Sequence, residues 1–217
     1  MGKITYISQQ KKHTHLYNIF VDESFYCSVS DMDISILNIR VGSELSQINL
    51  ENIKSNSEIN KTYDRALYYL QYGPRTKQQM RKYLLQKGYN EVYIDKVIKK
   101  LVSNNYINDK QYTINFIEEK QIHGLKSNSY IKAQLIKKGI DKSIIDNCLK
   151  ALNESNQCDI IKELATKKYS QGIRYKDKQK MTQYLLRQGF NYSDISKTLD
   201  ELGLVFGSNK KMYNNSY

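Results

Sequence analysis

Residues 62 to 205 repeat one pattern three times. Gly88, Gly139 and Gly189 fall 51 and 50 residues apart, and the residues before each glycine align. Met80-Arg-Lys-Tyr-Leu-Leu-Gln-Lys-Gly88 matches Ile131-Lys-Ala-Gln-Leu-Ile-Lys-Lys-Gly139 and Met181-Thr-Gln-Tyr-Leu-Leu-Arg-Gln-Gly189. A period of this length is a repeated supersecondary unit. One such unit cannot bury its apolar face alone, so units stack and offer an extended surface. That geometry favours a long partner over an enclosed small substrate.

The caps set each repeat as three helices. Thr76, Ser127 and Asp177 stand four residues before the aligned Met80, Ile131 and Met181. Each has a side-chain oxygen that can take a free backbone N–H at a helix start. Thr76 with Gln79 also reads as a capping box. The three glycines end that helix, where a positive φ is needed. Two residues on, Asn90, Asp141 and Asn191 open the next helix. Its apolar stripe also recurs, as Ile94, Ile98, Leu101, then Ile145, Leu149, Leu152, then Ile195, Leu199, Leu202. Offsets of four and three keep these residues on one face. The first helix of each repeat is less regular. It is predicted over Tyr63 to Tyr72, stopped by Gly73-Pro74, then over Asp109 to Ile122, and then over Asp159 to Ser170.

The N-terminal part reads as β. Ile4 and Tyr6 alternate with Lys3 and Thr5, and Leu16 to Val21 and Phe25 to Val29 are rich in strand formers, which predicts two or three antiparallel strands. A lone hairpin is marginal, so this piece must pack against helices. Asp31 is a candidate cap for a short helix through Leu37. Ser46 caps another that runs to about Lys54, with Leu45 and Leu50 as a hydrophobic staple. Ser55 to Glu58 reads as a polar connection.

These elements predict a mainly α fold. A small N-terminal segment containing a β-hairpin precedes three tandem three-helix units in an elongated array. The expected divisions are residues 1–60, 61–108, 109–153 and 154–206, with a polar tail over 207–217.

Charge is distributed unevenly. Residues 1–60 carry 5 basic and 7 acidic residues, whereas 61–217 carry 29 basic and 15 acidic. The whole formal excess of +12 therefore lies on the repeats, which favours an anionic partner. The candidate contacts are Arg75, Lys77, Arg81 and Lys82 in the first repeat. They are joined by Lys126 and Lys132 in the second, and by Arg174, Lys176, Lys178 and Lys180 in the third. Stacking would line them up in one stripe. Tyrosine is abundant, with 19 residues. Tyr68, Tyr69, Tyr72, Tyr83 and Tyr184 read as core or repeat-interface residues rather than base-stacking platforms.

Catalytic and metal-binding patterns are missing from the sequence. It has neither a phosphate-binding glycine loop nor a nucleophile elbow, and no His-Glu-x-x-His. His13 and His15 lack a third ligand, and His123 stands apart, so neither a metal nor a cofactor is expected. Cys27, Cys148 and Cys158 form no Cys-x-x-Cys pair, which suits a reduced, cytoplasmic chain. No apolar run approaches a membrane span. The chain is expected to be a non-enzymatic monomer with no membrane partner.

Several stretches resemble the RecX family, regulators of the recombinase RecA. They are Ala66-Leu-Tyr-Tyr-Leu-x-x-Gly-Pro-Arg-Thr76, Asn105-Tyr-Ile-Asn-Asp-x-x-Tyr112 with Phe116, and His123-Gly-x-x-Ser127 with Ile131-x-x-Gln-Leu-x-x-Lys-Gly-Ile140. Asn108 departs from the pattern, since the family often has an acid there. The resemblance covers about residues 62 to 205. It implies a curved array of three-helix repeats that binds the RecA–DNA filament and inhibits the recombinase. It thereby implies a modulator of DNA repair, recombination and the SOS response. Weak direct DNA contact is also implied for some members. From the residues alone, a direct DNA-binding protein using basic helices remains the alternative.

Overall fold

The computed structural model describes residues 1–11, 14–152, 157–172 and 177–204. The side chains of residues 122 and 123 are not described, so the expectations for His13, His123 and the tail over 207–217 lie outside the described residues. The chain forms two compact units. One holds Met1–Arg75 and Gln79–Ile107, and the other holds Thr76–Gln78 and Asn108–Tyr217.

The first unit opens with β1 (Gly2–Gln9), β2 (Leu16–Val21), β3 (Ser24–Ser30) and β4 (Glu44–Leu45). They make one antiparallel sheet in the order β3-β2-β1-β4. β4 pairs Leu45 with Gly2 and adds a fourth strand that the sequence pattern did not disclose. The tight β2–β3 turn puts Asp22 and Glu23 at φ 48° and 66°. Ile4, Ile19, Val21, Cys27 and Val29 bury one face of the sheet. Leu50 and Ile53 cover them, which supplies the helix that such a hairpin requires.

α1 (Asp31–Ile36) is capped one residue earlier than expected. The Ser30 side chain accepts from the Asp33 amide, and the Asp33 carboxylate answers the Ser30 amide. α2 corrects a larger expectation. It runs unbroken from Gln47 to Leu70 and is capped by Ser46. The polar connection read at Ser55 to Glu58 is helix interior. No glycine or proline interrupts the stretch, and its polar side chains are engaged. The Ser57 hydroxyl donates to the Ser28 carbonyl. The Asn60 amide reaches the Asp33 carboxylate at 2.9 and 3.1 Å. The Thr62 hydroxyl donates to the Glu58 carbonyl. Tertiary partners outweigh weak helix propensity here.

α3 (Lys77–Gln86) and α4 (Glu91–Ser103) follow. Ala66, Met80, Leu84, Ile94, Val97 and Leu101 bury together as the core of the first repeat.

The second unit contains α5 (Asp109–Glu118), a π turn at Glu119–His123, α6 (Asn128–Lys137), α7 (Lys142–Leu152), α8 (Gln157–Ser170), α9 (Lys178–Arg187) and α10 (Tyr192–Glu201). Two cores of the same make lie within it. One gathers Ile117, Ile131, Leu135, Ile145 and Leu149, and the other Ile161, Met181, Leu185, Ile195 and Leu199. Residues 131–150 and 181–200 agree at every position in being buried, half-buried or exposed. The alignment seen in the sequence is therefore an alignment of packing.

Ser127, Asp177, Asn90 and Asn191 cap helices as their residue types require. Asp141 accepts from the Ser143 amide at 2.7 Å. Gly88, Gly139 and Gly189 have φ of 83°, 80° and 89°, the left-handed turn that ends a helix.

Candidate partner-binding surface

The helix-ending turns differ in what touches them. Thr76 lies at the start of α3, and its hydroxyl donates to the Lys138 carbonyl at 2.7 Å. The aligned Ser127 does a similar thing one repeat later: its amide donates to the Gln188 carbonyl at 3.3 Å. A Cβ at Gly139 would run into the Gln78 side chain, and one at Gly189 into Ser127 and Tyr130. Among the described residues, a Cβ at Gly88 would meet nothing within 4 Å. The first repeat's turn, Lys87 and Gly88, is thus bare where the other two are covered.

Asp109 also holds the start of α3. Its buried carboxylate accepts the Lys77 amide at 2.9 Å. Asn108, the family departure, caps α5 by accepting from the Gln111 amide. An amide oxygen performs that task without a charge.

The candidate basic residues are divided by their neighbours. Arg81 on α3 meets Asp95 and, at 3.8 Å, Glu91 on α4. Lys132 on α6 meets Asp146 on α7 at 2.5 Å. These are the same pair in two repeats, with the acid fourteen residues on. The third repeat has Thr182 and Ser196 at those positions and lacks the pair. Lys178 pairs with Asp200, and Lys180 with Asp177 at 3.8 Å. Pairs this exposed stabilise by at most about 1 kcal/mol, yet they neutralise charge that the sequence alone counts as available. The Lys126 ammonium donates to the Gln188 side chain and lies 5.2 Å from the Tyr130 ring centroid. Lys77 and Lys82 are exposed and make no ion pair among the described residues. Arg174 and Lys176 lie outside the described residues. Arg75, Arg81 and Lys82 belong to the first unit, and Lys77, Lys126, Lys132, Lys178 and Lys180 to the second.

The tyrosines do more than fill cores. Tyr69 and Tyr83 stack, with centroids 3.9 Å apart and planes 11° from parallel. The Arg75 guanidinium lies 4.5 Å from the Tyr69 ring, and the Lys87 ammonium 5.8 Å from the Tyr83 ring. Contrary to the core reading, Tyr68 and Tyr72 are exposed, at 47% and 64%. Their hydroxyls share a hydrogen bond of 2.6 Å. That bond pushes the Tyr72 phenol pKa upward. Tyr184 follows the expectation, packing against the third repeat's core.

Two hollows offer little chemistry. An apolar one of about 290 Å³ is lined by Ile114, Ile144, Cys148 and Leu152. Burial pushes the Cys148 thiol up, away from the reactive thiolate. The other, of about 810 Å³, contains Asp33, Asp64, His15 and Lys100. Its Asp33 carboxylate is committed to Asn60 and Ser30. Burial raises the Asp64 carboxyl. Among the described residues no cluster of His, Cys, Asp and Glu could hold a metal, and no helix is long and apolar enough to cross a membrane.

Comparison with known proteins completes the picture. The family model for the regulatory protein RecX N-terminal domain matches residues 2–46. Those for the first and third RecX three-helix domains match 63–101 and 155–199. Regulatory protein RecX of Bacillus cytotoxicus is 32% identical over 93% of this chain and 77% of its own. That of Lactococcus lactis subsp. lactis is 38% identical over 94% and 78%. A crystal structure of regulatory protein RecX superposes with a TM-score of 0.71 and 28% identity. It covers 92% of this chain and 100% of that one. RecX from Lactobacillus salivarius superposes at 0.58 with 33% identity, over 67% and 96%.

Proposed function

Because the chain belongs to the RecX family of regulatory proteins, we propose that it binds the RecA filament on DNA and lowers the recombinase's activity. It would act in the cytoplasm as a monomer, and would moderate DNA repair, recombination and the SOS response without breaking or making bonds. The observation that carries this reading is family membership across both the sheet and the repeats. The charge supports it, since the whole positive excess lies on repeats whose short helices expose cations such as Lys77 and Lys82. A stripe of such residues along stacked repeats would suit a polymer with a repeating anionic surface.

Direct binding to naked DNA is the second reading. The same short, capped, basic helices favour it, because helix N-termini and cations both attract phosphate. The experiment that separates the two is the DNA-dependent ATPase of the host recombinase on single-stranded DNA. The filament reading predicts that the protein slows hydrolysis at concentrations comparable to the recombinase, and at salt where it no longer binds bare DNA. An ATPase rate unchanged by saturating protein contradicts it.

A further inference from the structure

Around the connection between α2 and α3, three cations lie against aromatic rings. Arg65, Arg75 and Lys87 form no ion pair among the described residues, whereas Arg81, Lys132, Lys178 and Lys180 each meet a carboxylate. Aromatic rings hold them in place instead. Arg75 covers one face of Tyr69, the Tyr69 and Tyr83 rings cover each other, and Lys87 lies by Tyr83. The Arg65 guanidinium lies 5.7 Å from the Tyr68 ring. Two further donors of the Arg75 guanidinium reach the Pro74 and Tyr72 carbonyls, at 3.2 and 3.3 Å. All these residues belong to the first unit.

The surface is also open. Arg65 and Lys87 are exposed, and the Lys87–Gly88 turn lacks the cover that its counterparts have. Beside Arg65 stand the exposed Tyr68 and Tyr72. Their shared hydrogen bond uses one hydroxyl proton and leaves the other to donate outward. Tyrosine and arginine are the residues that most often carry binding energy at protein interfaces.

We propose that the surface made by Arg65, Tyr69, Arg75, Tyr83 and Lys87 docks an acidic polypeptide segment, whose carboxylates supply the counter-charge this chain omits. A protein acid fits better than a nucleic acid. Binding single strands relies on free ring faces for bases, and the faces of Tyr69 and Tyr83 are occupied by each other and by the two cations. What remains outward is a set of guanidinium, ammonium and phenol donors, which suits planar carboxylates. The inference rests on the filament reading only for the identity of the partner. The chemistry of the segment stands on this geometry.

The test uses the full chain and three probes: a short fluorescein-labelled peptide rich in Glu and Asp, labelled oligodeoxythymidylate, and the recombinase ATPase. Arg65→Gln with Lys87→Gln removes two exposed charges and leaves the packed Arg75 in place. Lys137→Gln with Lys142→Gln is the matched control in the second unit. The expected result is that the first pair weakens peptide binding about 10-fold or more, as lost charge-assisted hydrogen bonds should. It should weaken ATPase inhibition in parallel, while the control changes neither. Two results overturn the inference. In one, the peptide fails to bind the unaltered chain, or binds both pairs equally. In the other, the first pair loses oligodeoxythymidylate binding and keeps peptide binding, which makes the surface a nucleic-acid site. Failure of the unaltered chain to slow the ATPase counts against the filament reading instead, and leaves the peptide result to judge the surface.

Discussion

Val97, Cys148 and Thr198 occupy one aligned core position in the three repeats, and each is buried. The threonine hydroxyl makes no hydrogen bond among the described residues, so its donor and acceptor give up water for nothing. Thr198→Val keeps the shape and removes that cost. It should raise stability by about 1 kcal/mol, read as a higher midpoint in urea unfolding with the slope unchanged. A lower midpoint would show that the hydroxyl has a partner.

The stripe read from the sequence ran through Ile94, Ile98 and Leu101 and their counterparts and passed this position by, and nothing in the sequence could mark the hydroxyl as unsatisfied. The candidate site was legible in the same partial way. Composition located the positive charge on the repeats, yet not which cations are neutralised. Asp95 follows Arg81 by fourteen residues, and Asp146 follows Lys132 by fourteen. That shared offset was the available sign of a repeated ion pair. The Tyr69–Tyr83 stack had no such sign, because it depends on how α2 meets α3.

Among elements, the three helix-ending turns allow a graded experiment. All three glycines have a positive φ, which opposes an alanine by about 1 kcal/mol or somewhat more. At Gly139 and Gly189 the added methyl also meets packed atoms, and overpacking adds about 1 kcal/mol or more. Gly88→Ala should therefore be the mildest of the three substitutions in chemical denaturation. Equal losses at all three would mean that the Thr76–Lys138 and Ser127–Gln188 junctions do not confine their turns.

Caps and turns were the most legible elements, because the chemistry of Ser127, Asp177, Asn90, Asn191 and the three glycines is local. α2 was misread for the opposite reason. Ser55, Asn56 and Ser57 favour a linker by composition, but Ser57 and the nearby Asn60 find partners on β3 and α1 that lie about thirty residues away. β4 is two residues long and exists only because Gly2 and Lys3 are there to pair with it. No periodicity announces a strand that short.

At the scale of the whole molecule, charge divides the chain in two. Residues 1–60, which hold the sheet and the start of α2, are slightly acidic, whereas the repeats are strongly basic. A surface of that kind invites any polyanion, and salt distinguishes a general attraction from a specific one. Binding to bare DNA through many lysines should fall with a log–log slope of about −0.9 for each phosphate contact. Docking on a protein through a few arginine, lysine and tyrosine contacts should fall less steeply, because far fewer condensed counterions are released than from a polyphosphate strand. The most direct measurement is binding to a single strand, bare and recombinase-coated, across a salt series. The account predicts that the coated strand retains the protein at salt where the bare strand has released it. Tight binding to the bare strand together with indifference to the coated one would contradict it.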